Sequence, residues 1–144
     1  MMTISNFAVA AVLTSGIVCP ALADSLPMDT PVPVDGIETV CTGIGSGKDD
    51  PRWSEYPVRI EFSNGAAQYL AGVHLTLSGG GRTLTSLECL GSWVLFRLPA
   101  GTYKVTAELI SQPGGEPRST TFTTPGGGPQ KRVEVQFPRI SANE

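Results

Sequence analysis

The chain has 144 residues, with 17 glycines, 12 prolines, 16% charged residues and a formal net charge of −3. This balance excludes the clustered cations that nucleic acid or an anionic membrane surface demands. Few charges and abundant Gly and Pro point to turns and short strands rather than long helices.

No charged residue occurs from Met1 to Ala23, and Phe7 to Val18 is largely apolar. Small residues at Ala21 and Ala23 fit a signal-peptidase site, so residues 1–23 are expected to be a signal peptide cut before Asp24. The apolar run is too short for a membrane span, which leaves no stable membrane insertion after cleavage. The expected location is the periplasm or the medium, and the expected source is bacterial. Residues 24–35 carry Pro27, Pro31 and Pro33 and are expected to form a flexible leader. Residues 36–138 are the expected domain, and residues 139–144 are expected to fray.

Of the three cysteines, Cys41 and Cys89 remain after cleavage. An even count in an oxidising compartment predicts a disulfide between them. A metal pair is the poorer reading, because the one histidine and two separated cysteines make a weak ligand set.

Ile37 to Cys41 reads as a first strand, at an edge. Thr42 to Ser54 is irregular and glycine-rich. Tyr56 to Ser63 follows as a strand with Val58, Ile60 and Phe62 on one face, and Asn64-Gly65 marks a turn. Gln68 to Ser78 is expected to place Val73, Leu75 and Leu77 inward and His74 outward. Gly79-Gly-Gly81 turns the chain, and Arg82 to Cys89 returns with Leu84 inward. Trp93 to Leu109 reads as a strand, a tight turn at Pro99–Gly101 and a second strand with Tyr103, Val105, Ala107 and Leu109 inward. Ser119 to Thr124 is a short polar strand. Lys131 to Phe137 closes the fold with Val133, Val135 and Phe137 inward, and Pro138 stops it. Seven or eight strands at this spacing, with no amphipathic helix, predict an all-β antiparallel sandwich.

The run Phe96-Arg-Leu-Pro-Ala-Gly-Thr-Tyr-Lys-Val-Thr-Ala resembles the L-P-x-G-x-Y-x-V hallmark of carboxypeptidase regulatory-like domains, which are transthyretin-like seven-stranded sandwiches. The order of Val40-Cys-Thr-Gly-Ile-Gly, Tyr56-Pro-Val-Arg-Ile-Glu-Phe-Ser and Cys89 near Trp93 also resembles small exported bacterial proteins of that type. The resemblance covers about Gly36 to Pro138. It implies the fold and is nearly silent on activity.

Candidate chemistry is sparse. Gly43 to Lys48 lacks the spacing of a phosphate-binding loop. Lys48-Asp-Asp-Pro-Arg-Trp53 is the one cluster suited to binding, with Asp49 and Asp50 as anionic groups and Arg52, Trp53 and Tyr56 as a stacking platform. Its structural alternative is a loop whose Trp53 packs down while Asp50 caps a turn. His74 has no readable nucleophilic partner, and no G-x-S-x-G elbow exists. Transthyretin-like hydroxyisourate hydrolases need several histidines and a Tyr-Arg-Gly-Ser tail, which this sequence lacks. Glu61, Glu108 and Glu134 are expected to be solvated. The expectation is a monomeric, non-catalytic, exported binding or accessory module, with no metal, no cofactor and a protein or envelope component as ligand. The alternatives are a carbohydrate-binding module using Trp53, Tyr69 and Trp93 and, less favoured, a small hydrolase.

Overall fold

A computed structural model describes residues 25–66, 68–112 and 114–138. The expected signal peptide and frayed tail lie outside the described residues. Among the described residues, nine strands run in chain order: β1 (Val32–Val34), β2 (Ile37–Thr42), β3 (Val58–Asn64), β4 (Val73–Gly79), β5 (Arg82–Cys89), β6 (Trp93–Phe96), β7 (Gly101–Leu109), β8 (Arg118–Thr124) and β9 (Lys131–Phe137). They form two layers, a five-stranded sheet in the order β1-β2-β6-β3-β9 and a four-stranded sheet in the order β5-β4-β7-β8. The expected all-β sandwich is present. The seven strands β3–β9 build both layers, and β1 and β2 are appended beyond β6. All pairs are antiparallel except β3 and β9, which run parallel from Val58↔Lys131 to Asn64↔Phe137.

Alternation along each strand explains the dry middle. Val58, Ile60 and Phe62 of β3 meet Val73, Leu75 and Leu77 of β4, with Val105 of β7 and Val133 and Val135 of β9 in the same buried cluster. Each such side chain stabilises the fold by roughly 1.5–3 kcal/mol on burial. Cys41 on β2 and Cys89 at the end of β5 are joined by a disulfide, with their Cα atoms 5.6 Å apart. The bond therefore links the two sheets.

Several expectations are corrected. Trp93 to Leu109 is not a hairpin. β6 belongs to the five-stranded sheet and β7 to the four-stranded one, so the Pro99 turn carries the chain from one layer to the other. The Tyr103 hydroxyl donates to the Pro99 carbonyl at 2.8 Å and fastens that crossing. The strand expected from Gln68 begins only at Val73. The segment before it doubles back on β3, where the Leu70 amide donates to Phe62 O at 2.9 Å. Leu84 is only partly buried. A register shift opposite Leu77 and Ser78 leaves it unpaired and sends Thr85 inward instead;.

The leader is not a flexible one over its described residues, 25–35. Leu26 is buried in the main core. Its amide donates to Glu88 O at 3.0 Å, and that of Asp29 donates to Cys41 O at 2.8 Å. This strap touches β5 of one layer and β2 of the other. Farther on, Val32–Val34 pairs with β2, which is therefore not an edge strand.

Candidate functional site

The irregular stretch after β2 folds into two 3-10 turns, Gly45–Asp49 and Pro51–Glu55. Asp50 starts the second. Its carboxylate accepts from the Arg52 amide at 2.9 Å and from the Arg52 guanidinium at 2.8 Å. The bonds from Arg52 hold the Asp50 carboxyl below its ordinary range. The Arg52 guanidinium also lies 4.9 Å from the centre of the Trp53 ring. Asp49 and Arg52 therefore stay on the loop near Asp50, as expected, but the two aromatics do not face solvent.

Trp53 and Tyr56 are each 3% exposed and form a second core with Val40 and Leu95. Val40 and Leu95 point away from the main core, and the loop exists to cover them. The Trp53 indole donates to Gly47 O at 2.7 Å, and the Gln130 amide ties the loop down through Trp53 O and Tyr56 O at 2.7 and 3.1 Å. The Tyr56 hydroxyl donates to Glu38 at 3.0 Å, and Arg97 stacks over its ring while pairing with Glu38. Arg97 foremost, then Tyr56, hold the Glu38 carboxyl low, whereas burial foremost pushes the Tyr56 phenol up. The stacking platform expected at Trp53 and Tyr56 is thus corrected. The loop covers the outer face of the five-stranded sheet.

A different group forms on the same outer face. Arg59 and Glu61 of β3 point outward, with Trp93 of β6 and Arg132 and Glu134 of β9 around them. Glu61, expected to be solvated, is buried. Its Oε1 receives Arg59 Nη2 at 2.7 Å and Arg132 Nη2 at 2.7 Å. Ser63 donates to Glu134 at 2.5 Å, and this bond foremost holds the Glu134 carboxyl low. The Arg59 guanidinium sits 4.1 Å from the Trp93 ring centre, an arrangement favoured by the ring's negative face. Tyr69, from the segment before β4, stands edge-on to Trp93 at 5.9 Å and is 46% exposed. Gly43 closes another side of Trp93. With φ at 101°, it leaves no room for a Cβ, which would lie 2.8 Å from the Trp93 backbone nitrogen and 3.0 Å from its Cγ.

Two donors in this group, Arg59 Nε and Trp93 Nε1, are buried and have no partner among the described residues. Buried N–H groups are nearly always paired, so two adjoining exceptions call for an acceptor. The sequence named Tyr69 and Trp93 only as part of a three-aromatic set. Burial of Trp53 breaks that set, and Arg59 and Arg132 were missed.

On the opposite layer, the structure corrects the reading of His74 as partnerless. Ser86 Oγ lies 3.1 Å from His74 Nε2. Glu88 and Glu108 are its register neighbours on either side. This pair sits on the outer face of the four-stranded sheet. Neither of two surface grooves includes it: one of about 410 Å³ lined by Leu109, Arg118 and Phe137, and a wider open one lined by Ile37, Leu84, Leu98 and Tyr103. Among the described residues, no group of three His, Cys, Asp or Glu side chains is placed to hold a metal ion. No helix among them is long and apolar enough to cross a membrane.

No family model and no curated protein matches the chain. Five chains of solved structures match it, among them the 5-hydroxyisourate hydrolase of Klebsiella pneumoniae. That likeness has 21% identity and a TM-score of 0.44 over 58% of this chain and 90% of the other. That likeness is to an enzyme, and the expectation that this chain is not one is withdrawn. At that distance it assigns no activity to this chain.

Proposed function

We propose that this protein is an exported binding or accessory module whose ligand is a protein or cell-envelope component. Its binding surface is the outer face of the five-stranded sheet, at Arg59, Glu61, Tyr69, Trp93 and Arg132. The observation that carries this reading is the pair of unpartnered buried donors, Arg59 Nε and Trp93 Nε1, beside an exposed tyrosine. Elsewhere on that face the polar groups close on one another, as Tyr56, Glu38 and Arg97 do. A disulfide is compatible with export.

The test is co-sedimentation of the protein, recovered after expression of the full chain, with insoluble envelope fragments. Wild type should pellet with the fragments, Arg59→Ala and Tyr69→Ala should remain in the supernatant, and Thr106→Ala on the opposite layer should behave as wild type. Equal pelleting of all four proteins would remove this face from consideration.

A further inference from the structure

We infer that the acceptor this face awaits is a hydroxyl of a neutral sugar ring, an inference that rests on the outer-face reading above. Three features narrow the ligand. The first is polarity. Two N–H donors lack acceptors, so the ligand must offer lone pairs. The second is charge. Arg59 and Arg132 are matched by Glu61 and by Glu134 alongside. With the formal charges cancelling, an anion gains no net attraction, and a neutral group avoids the cost of burying a new charge. The third is shape. Tyr69 presents a half-exposed ring standing at 80° to the Trp93 plane, an apolar wall of the kind that sugar C–H faces pack against.

A sugar meets all three. One hydroxyl accepts from Arg59 Nε or Trp93 Nε1, and its own proton goes to Glu61. The three contacts described for Glu61, to Arg59 Nη2, Arg132 Nη2 and Arg132 Nε, all fall on Oε1, which leaves Oε2 outside them. The two donors are covered in the free protein. Tyr69 is the exposed aromatic of the group, so its ring is the one free to turn aside and then lie along the sugar. The surrounding anchors are firm: Trp93 lies in the β6 ladder opposite Thr42 and Glu61, and Arg59 and Glu61 lie in the β3 ladder between β6 and β9. The binding atoms are therefore held on strands rather than loops.

The chain has two tryptophans, which supplies an internal control. Trp53 Nε1 is already bonded to Gly47 O, whereas Trp93 Nε1 is not bonded. In ¹⁵N-labelled protein, each indole N–H gives its own resonance. Titration with glucose, galactose or N-acetylglucosamine should shift the Trp93 indole signal saturably and leave that of Trp53 in place. Tyr69→Ala should weaken the response about tenfold, a loss of about 1.4 kcal/mol. Arg59→Lys, which keeps the charge and removes Nε, should weaken it as well while the far-ultraviolet spectrum stays unchanged.

A Trp93 signal unmoved by every sugar overturns the inference and assigns the donors to a buried water. A shift with acetate alone overturns it in favour of an anion. If envelope binding still depends on Arg59 while no sugar acts, the face stands and the ligand class falls. If envelope binding is itself indifferent to Arg59, both fall together.

Discussion

Cys41 lies second from the edge of the five-stranded sheet, and Cys89 ends the edge strand of the four-stranded one, so their bond is a rivet between layers. It also fixes β2, which lies between β1 and β6, to the opposite layer. Both sulfurs are fully buried, and the Gly91 amide points at Cys41 Sγ at 3.4 Å.

Replacing both cysteines by serine should lower unfolding free energy by about 4 kcal/mol, because the closed loop spans 48 residues and its entropy returns to the unfolded chain;. Two buried hydroxyls in place of the bridge add to that loss. Chemical denaturation of the double variant against wild type checks this. A change below about 1 kcal/mol contradicts the inter-layer role.

Trp53 behaves as core rather than as a binding surface. Trp53→Ala removes the largest cover over Val40 and Leu95 and leaves Gly47 O without its indole donor. The expected cost is about 3–5 kcal/mol, in the range for large buried aromatics cut to alanine. Arg52→Ala, next to it on the same loop but exposed, should change stability by under about 0.5 kcal/mol;. Equal, small effects at both positions would return Trp53 to the surface.

Much of the inner face was legible from alternation alone. Val73, Leu75 and Leu77, and likewise Tyr103, Val105 and Ala107, lie where a period of two puts them. The outer face was less so. Trp93 to Phe96 is apolar at every position, and all four residues are buried, a pattern that signals a strand covered on both sides. That signal was available, and it required something like Trp53 to do the covering. The layer change at Pro99 was not readable, because a turn between strands looks alike whether the strands pair or part. The Arg59–Glu61–Arg132 group was unreadable for another reason. It depends on the parallel β3–β9 pairing, which brings Arg132 to Glu61 across 71 residues of chain, and single-sequence patterns carry no information on such partners. The Ser86 contact with His74 requires the β4–β5 register, including its shift at Leu77.

Acid should loosen the corner where Arg97, Glu38 and Tyr56 meet. Arg97 holds Glu38 below its ordinary value of 4.5, so the folded state binds that proton less readily than the unfolded chain. The stabilisation is therefore present above pH 4.5 and is lost as pH falls through the lower folded-state value;. Exposure of this pair to solvent keeps the effect modest. Glu38→Gln should be less stable than wild type at neutral pH, and the difference should shrink steadily below pH 4.5. Urea midpoints at a series of pH values read it directly. A difference that grows on acidification contradicts the pairing.

The strap that opens the described chain makes the last prediction. Ser25 donates to Glu88 of β5, and Met28 and Asp29 lie against Cys41 and Thr42 of β2. Leu26, between them, is only 9% exposed and belongs to the main core. The segment thus spans the side of the sandwich where the disulfide lies, shielding both from water. Leu26→Ala should cost about 2 kcal/mol, the low end for buried leucines, because the strap can settle inward to fill part of the space. Leu26→Asp should release the strap altogether, since a carboxylate there has no partner. Hydrogen exchange separates the two variants. Leu26→Asp should expose the amides of Leu26 and Asp29, which donate to Glu88 and Cys41, while those of β4 and β7 in the sheet centre stay protected. Uniform loss of protection across all strands would instead make the strap inseparable from the fold. Unchanged protection at Leu26 and Asp29 would show that the leucine does not hold it.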